Sequence, residues 1–130
     1  MNSAGVRLSG NLETTSMSDW SYHLNNNVTG TFLACKYILP FLKKAKNSSI
    51  INVASINSIR GAKNMLAYAT SKSAVISFTA SLALDLTKNK IRVNAVAPGA
   101  IETPMLASFK KDLSLKEYQK RMRENHPIGR

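Results

Sequence analysis

A single cysteine, Cys35, occurs in the 130-residue chain, so no disulfide can form within it. That suits a reducing compartment, and Cys35 reads as a small, buried, apolar residue. No apolar run approaches the ~18 residues that cross a bilayer. Residues 1–5 have neither the charged nor the apolar region of a signal peptide. These absences argue against a disulfide-stapled secreted scaffold and against a membrane role, and the expected location is the cytoplasm. The six glycines, Gly5, Gly10, Gly30, Gly61, Gly99 and Gly129, are scattered, so the chain has no Gly-rich loop to cradle phosphates. Its two histidines, His23 and His126, are far apart and no carboxylate or cysteine cluster joins them, so no metal site is expected. No Gly-x-Ser-x-Gly turn surrounds any serine, which leaves Ser55 without the setting of a hydrolase nucleophile.

Acidic residues are also scarce: 7 Asp and Glu stand against 18 Lys and Arg, for a net charge of +11. Such a balance invites a nucleic-acid reading. Seven of the basic residues fall in 110–130, but Asp112, Glu117 and Glu124 are interleaved with them, the pattern of a solvated amphipathic helix. No zinc-finger spacing or aromatic-rich RNA-binding signature accompanies the charge, so nucleic acid is disfavoured as a partner. What remains, 44% hydrophobic and 19% charged residues, is the balance of one soluble globular domain.

The polar stretch 14–18 leads into Trp20, Leu24, Val28, Phe32, Cys35 and Leu39, a helical spacing that predicts one long helix ending near Lys43 and Lys44. Its middle carries Asn25, Asn26 and Asn27, poor helix formers in a row, and such a local misfit marks a functional position or a bend. Residues 50–55 read as a buried strand and 91–97 as a second, stopped by Pro98-Gly99. Between them, 65–87 predicts a helix whose many alanines and serines allow a neighbour to approach closely. Thr103 has the properties of an N-cap, with Pro104 at the first helical position. The basic segment beyond reads as helical as far as a closing loop at 126–130. Helix, strand, helix, strand, helix is the rhythm of an α/β fold with an open, doubly wound parallel sheet, whose ligands sit at the carboxyl ends of the strands. Ser55 and Pro98-Gly99 lie at two such ends.

Tyr68 and Lys72, at i and i+4, share one helix face. A free tyrosine, with a pKa of about 10, exchanges protons poorly near neutrality, and a nearby cation favours its phenolate. At ~4 Å and an effective dielectric of ~20, that attraction is roughly 4 kcal/mol, or about three pKa units before lysine desolvation is counted. Ser55, thirteen positions earlier at a strand end, offers a hydroxyl to the same substrate oxygen.

Several ordered motifs together resemble the short-chain dehydrogenase/reductase family. Asn2-Ser3-Ala4-Gly5 is similar to the Asn-Asn-Ala-Gly element after the family's fourth strand, with Ser3 in place of the second asparagine. Asn27-Val28-Thr29-Gly30 resembles the segment that carries its catalytic asparagine, and Asn52-Val53-Ala54-Ser55 the fifth strand with the catalytic serine. Tyr68-Ala69-Thr70-Ser71-Lys72 resembles the signature helix, and residues 92–99 the sixth strand with its Pro-Gly turn.

The resemblance implies a fold and a set of roles. The fold is a partial Rossmann-like sheet of about three strands with long flanking helices, and residues 1–130 form a single partial domain, the catalytic half. Tyr68 is the general acid/base that interconverts a carbonyl and an alcohol on a small molecule. Lys72 lowers its pKa and binds the nicotinamide ribose, Ser55 orients the substrate, and Asn27 holds a water of a proton relay. NAD or NADP is the implied cofactor, contacted by Asn2, Ala4, Gly5, Tyr68, Lys72, Pro98, Gly99, Ile101 and Thr103, while Met105, Leu106 and Phe109 offer the substrate an apolar surface. The phosphate loop and the strands around it would precede Met1, so the chain is expected to be a truncated form. The helices around 19–44 and 65–87 are the implied surface of a homo-oligomer. An inactive remnant that keeps this surface as an interaction module is the alternative.

Overall fold

The computed structural model describes residues 1–101, 103–107, 114, 117, 118, 120, 123 and 124. They fall into two compact units, Met1–Ala97 and Pro98–Arg130.

In the first unit the helix α1, Met17–His23, is capped by Ser16, whose Oγ accepts the Asp19 amide at 3.0 Å and donates to Asp19 Oδ2 at 2.7 Å. This pairing satisfies one of the helix's orphan donors and sets acidic charge at its positive end. The helical path continues through a π-helical turn, Leu24–Thr29, into α2, Gly30–Lys44. The asparagine triplet thus coincides with a change of helical pitch, as its poor helix propensity predicts.

That change has a packing cause. His23, Asn27, Thr31 and Cys35 are all buried, yet at 3.6 residues per turn each step of four drifts by ~40° around an α-helix. A wider turn takes up the drift and keeps the four on one face. The Gly30 N–H reaches the Asn25 carbonyl five residues back, and the Thr31 hydroxyl takes the Asn27 carbonyl at 2.7 Å.

The strand β1, Ser49–Val53, pairs in parallel with β2, Arg92–Val96, in the register Ile50 to Val93 and Asn52 to Ala95. Of the expected first strand a single residue takes part: the Asn2 N–H donates to Ile51 O at 2.8 Å and Asn2 O accepts from Val53 N at 3.0 Å, on the far side of β1 from β2. Among the described residues the expected count of about three strands therefore becomes two strands with one bridging residue beside β1, because only Asn2 of the opening segment reaches it.

Burial is one-sided. Ile50 and Asn52 point into the protein, whereas Ile51 and Val96 on these strands stay exposed. Cys35, Ile50, Leu86, Ile91 and Val93 form the core, and Leu39, Leu42, Phe78 and Leu82 pack on it. Cys35 fills the apolar role expected of it, with burial pushing its thiol pKa up.

A short helix α3, Asn57–Arg60, stands where the sequence suggests only a polar loop. It is tied to α4, Leu66–Asp85, by the Ser73 hydroxyl, which donates to Ser58 O at 2.8 Å. Tyr68, Lys72, Val75 and Thr79 make the buried stripe of α4, and the small Ala67 and Ser71 beside them let it close on the neighbouring backbone. A 3-10 turn, Thr87–Asn89, and a left-handed Lys90 with φ 54° carry the chain into β2.

In the second unit α5, Pro104–Ala107, begins on Pro104 as predicted. Ser114 and Glu117 bond to each other through Oγ and Oε2 at 2.6 Å, and Lys120 pairs with Glu124 at 4.0 Å. Phe109, most of the basic segment after it and residues 126–130 lie outside the described residues, as does the side chain of Leu106.

Candidate active site

The first unit brings together Gly5, Asn27 and Lys72, and links Tyr68 to them. Asn27 has no exposed surface. Its Oδ1 accepts the Val6 N–H at 2.8 Å, while Nδ2 donates to Val6 O at 3.0 Å and to Ser71 Oγ at 2.9 Å. Ser71 in turn donates to the Tyr68 carbonyl at 2.8 Å. Asn27 on the π turn is thereby bound to the helical turn that carries Tyr68 and Lys72. Gly5 suits this crossing: a Cβ there would stand a tight 3.0 Å from Asn27 Oδ1 and 3.2 Å from Lys72 Nζ. A missing side chain lets the backbone pass close to both groups.

Lys72 is 5% exposed, and its ammonium donates to the Val53 carbonyl at 2.8 Å, just beyond the bridge with Asn2. Burial lowers its pKa from the ordinary 10.5, since desolvation disfavours the charged form. Between the lowered value and 10.5 the unfolded chain binds more protons than the folded one, so stability rises with pH across that window. In matched melts as the pH is raised toward 10.5, the wild-type melting temperature should therefore climb relative to that of Lys72→Met. A constant difference would mean that Lys72 is not desolvated.

Ser55 lies two residues past β1, buried, with Oγ accepting the Asn57 N–H at 3.2 Å, and its carbonyl takes the Ser58 hydroxyl. Among the described residues no direct hydrogen bond joins the side chains of Ser55, Tyr68 and Lys72. Asn2 sends its amide inward, to Asn52 Oδ1 at 2.8 Å and Cys35 Sγ at 3.3 Å. Asn2 and Ala4 also border an open depression of about 310 Å³ with Asn26, Gly30 and Thr31, a hollow that none of Ser55, Tyr68 or Lys72 lines. Pro98, Gly99, Ile101 and Thr103 belong to the second unit, where Ile101 and Thr103 are exposed.

Two residues beside Tyr68 were not singled out for the site by sequence reasoning. The His23 ring meets the Tyr68 ring edge-on at 6.4 Å, and the Arg7 guanidinium carbon lies 5.8 Å from the Tyr68 centroid. Desolvation lowers the Arg7 pKa and its interaction with Tyr68 opposes that shift. For His23 a sequence signal existed: it precedes Asn27 by four positions, on the same helix face.

The sequence profile of the short chain dehydrogenase family matches residues 1–114. The chain belongs to the short-chain dehydrogenase family. Within the family it is 40% identical to trans-4-hydroxycyclohexanecarboxylate dehydrogenase of Sinomonas cyclohexanicum, over 85% of this chain and 42% of that protein. It is 41% identical to the 3-oxoacyl-(acyl-carrier-protein) reductase of Thermotoga maritima, over 81% of this chain and 43% of the relative. Among solved short-chain dehydrogenase folds, a variant of actinorhodin polyketide ketoreductase with NADPH superposes with a TM-score of 0.90 at 33% identity, over 99% of this chain and 52% of that one. The chain spans about half the length of the relatives it matches.

Proposed function

We propose that this chain supplies the proton-transfer part of an NAD- or NADP-dependent oxidoreductase that interconverts a carbonyl and an alcohol on a small molecule. The observation that carries the reading is the crossing at Gly5, where Asn27 Oδ1 and the Lys72 ammonium come within 3.0 and 3.2 Å of one absent side chain. A buried cation, a buried amide and the Tyr68 helix then converge closely on one stretch of backbone.

In this reading Tyr68 gives its phenolic proton to the carbonyl oxygen during reduction and takes a proton from the alcohol during oxidation. Lys72 keeps positive charge on the same helix face and binds the ribose hydroxyls, Ser55 hydrogen-bonds the substrate oxygen, and Asn27 anchors a water for proton exchange with solvent. A bound nicotinamide supplies or accepts the hydride. Gly5 and Lys72 suit its ribose, and family resemblance assigns Asn2, Ala4, Pro98, Gly99, Ile101 and Thr103 to the cofactor as well. The scattered glycines form no Gly-rich cradle for its phosphates. Relatives with bound nucleotide include the ketoreductase with NADPH and a reductase from Brucella melitensis complexed with NADH. The test is whether the full-length polypeptide that carries this chain oxidises NADH or NADPH with a carbonyl substrate in a manner that depends on Tyr68.

Phe32, Tyr37, Ile38 and Phe41 on α2 are exposed, an apolar surface that fits a second copy of the protein. Among the described residues β2 has a strand on one side only, which leaves a second edge open to association. The 130-residue polypeptide alone should sediment as oligomers or aggregates and melt broadly. A monomer with a sharp cooperative melt is the contrary result. No described helix is long and apolar enough to cross a membrane.

A further inference from the structure

Two residues four apart on one helical face grip the same stretch of chain. Asn27 takes both backbone groups of Val6, at 2.8 and 3.0 Å. His23 takes the next one along, its Nε2 accepting the Leu8 N–H at 2.9 Å. An Nε2 that accepts leaves the proton on Nδ1, which donates to the Asp19 carbonyl at 2.7 Å. Both ring nitrogens are thus committed to backbone, and this network assigns the neutral Nδ1–H tautomer.

Between the two anchored residues lies Arg7. Its Nε donates to Met65 Sδ at 3.2 Å, and its guanidinium carbon lies 5.8 Å from the centre of the Tyr68 ring. A cation is attracted to an aromatic face at that range. His23 also touches Tyr68 directly, with the ring planes at 70° and the centroids 6.4 Å apart. At 1% exposure, packing alone needs no nitrogen at position 23. An apolar ring of similar size would leave the Leu8 N–H unpaired.

We propose that His23 is a positioning residue for proton transfer at Tyr68: it braces the ring through a T-shaped contact and, with Asn27, holds the 6–8 segment that lays the Arg7 cation over it. The inference rests on the proton-transfer reading of Tyr68. In mechanism, the clamp restricts the phenol to one orientation toward the substrate oxygen, so its effect falls on the chemical step more than on binding.

The experiment uses the full-length polypeptide that carries these residues, with His23→Leu, His23→Gln, Arg7→Met and the double variant His23→Leu/Arg7→Met. One readout is hydrogen exchange at the Leu8 amide, followed by mass spectrometry with no substrate present. The other is kcat and KM for reduction of ethyl acetoacetate by NADPH. His23→Leu should speed Leu8 exchange by about tenfold or more and lower kcat by about tenfold with KM changed by less than about twofold. His23→Gln, whose side-chain oxygen can accept the same N–H, should recover most of both. Arg7→Met should lower kcat, and the double variant should fall no further than the worse single one.

Unchanged Leu8 exchange overturns the proposal. So does faster exchange with unchanged kcat, which makes His23 merely structural, or losses from His23 and Arg7 that simply add. If His23→Leu does not fold, a normal kcat in Arg7→Met or a His23→Gln as impaired as a deletion overturns it as well. Failure of the proton-transfer reading has its own signature: turnover, with NADH or NADPH, that survives Tyr68→Phe. Leu8 exchange in the variants still reports the clamp in that case.

Discussion

Replacing Tyr68 by Phe should lower turnover of the full-length protein by about 10²–10⁴-fold, the usual worth of a positioned general acid. The change is confined because phenylalanine keeps what the structure shows the ring doing. It still meets the His23 ring at 70° and offers a face to Arg7, and its carbonyl still accepts from Ser71. Only the phenolic hydroxyl goes. Cofactor affinity, read from NADH or NADPH fluorescence, should change far less than turnover does, so that the main loss falls on kcat. Steady-state oxidation of the reduced cofactor with a ketone measures turnover. Turnover within about tenfold of wild type would remove Tyr68 from the role of proton donor.

Asn27→Leu carries the largest expected loss of stability. The leucine fills a similar volume but cannot pair with the Val6 N–H, the Val6 carbonyl or the Ser71 hydroxyl, the three bonds the amide makes at 2.8, 3.0 and 2.9 Å. A buried group stripped of its partner costs about 1–3 kcal/mol, so the total should be about 3–5 kcal/mol, a large part of the 5–15 kcal/mol by which a domain is usually stable. Urea unfolding should show this as a lower midpoint. Ser71→Ala, which removes one partner of the amide and one of the Tyr68 carbonyl, should cost only about 1–2 kcal/mol. A loss below about 1 kcal/mol in Asn27→Leu would mean that Val6 is held by something other than this side chain. Asn27→Asp retains the acceptor for the Val6 N–H but loses the Nδ2 donor to Val6 O and Ser71 Oγ, so it too should unfold at a lower urea midpoint than wild type.

Sequence and structure agree most closely where local spacing decides the outcome. The pitch change at Leu24–Thr29 falls on the asparagine triplet, and Pro104 opens its helix. Both strands lie inside the ranges read from their β-branched residues apart from Ser49, which β1 adds at its start. These are effects of backbone propensity and short-range periodicity, which a chain carries in any context. The α3 turn escaped notice because Asn57–Arg60 is polar and only four residues long, too short for a helical period to register.

Contacts between distant segments were less legible. Lys72 directs its ammonium to Val53 O, nineteen residues away, and Asn2 joins Asn52 across fifty. Sequence spacing places Lys72 on the face of Tyr68 but does not say which carbonyl crosses that face. His23 was weighed only as a possible metal ligand, yet the fold gives each of its nitrogens a backbone partner. No periodicity could indicate that, because the Leu8 amide reaches His23 only once α1 has packed against the 6–8 segment.

The sequence by itself determined the family, the order of helices and strands, and the face shared by Tyr68 and Lys72, since these follow from motifs and from 3.6- and 2-residue periods. Only the tertiary structure decided what surrounds that pair: Asn27 bonded to Ser71, Gly5 allowing close approach to Lys72, and Arg7 and His23 ranged about the Tyr68 ring. The physical reason is that buried polar groups must find partners, and which partners are within reach is settled by how whole elements pack.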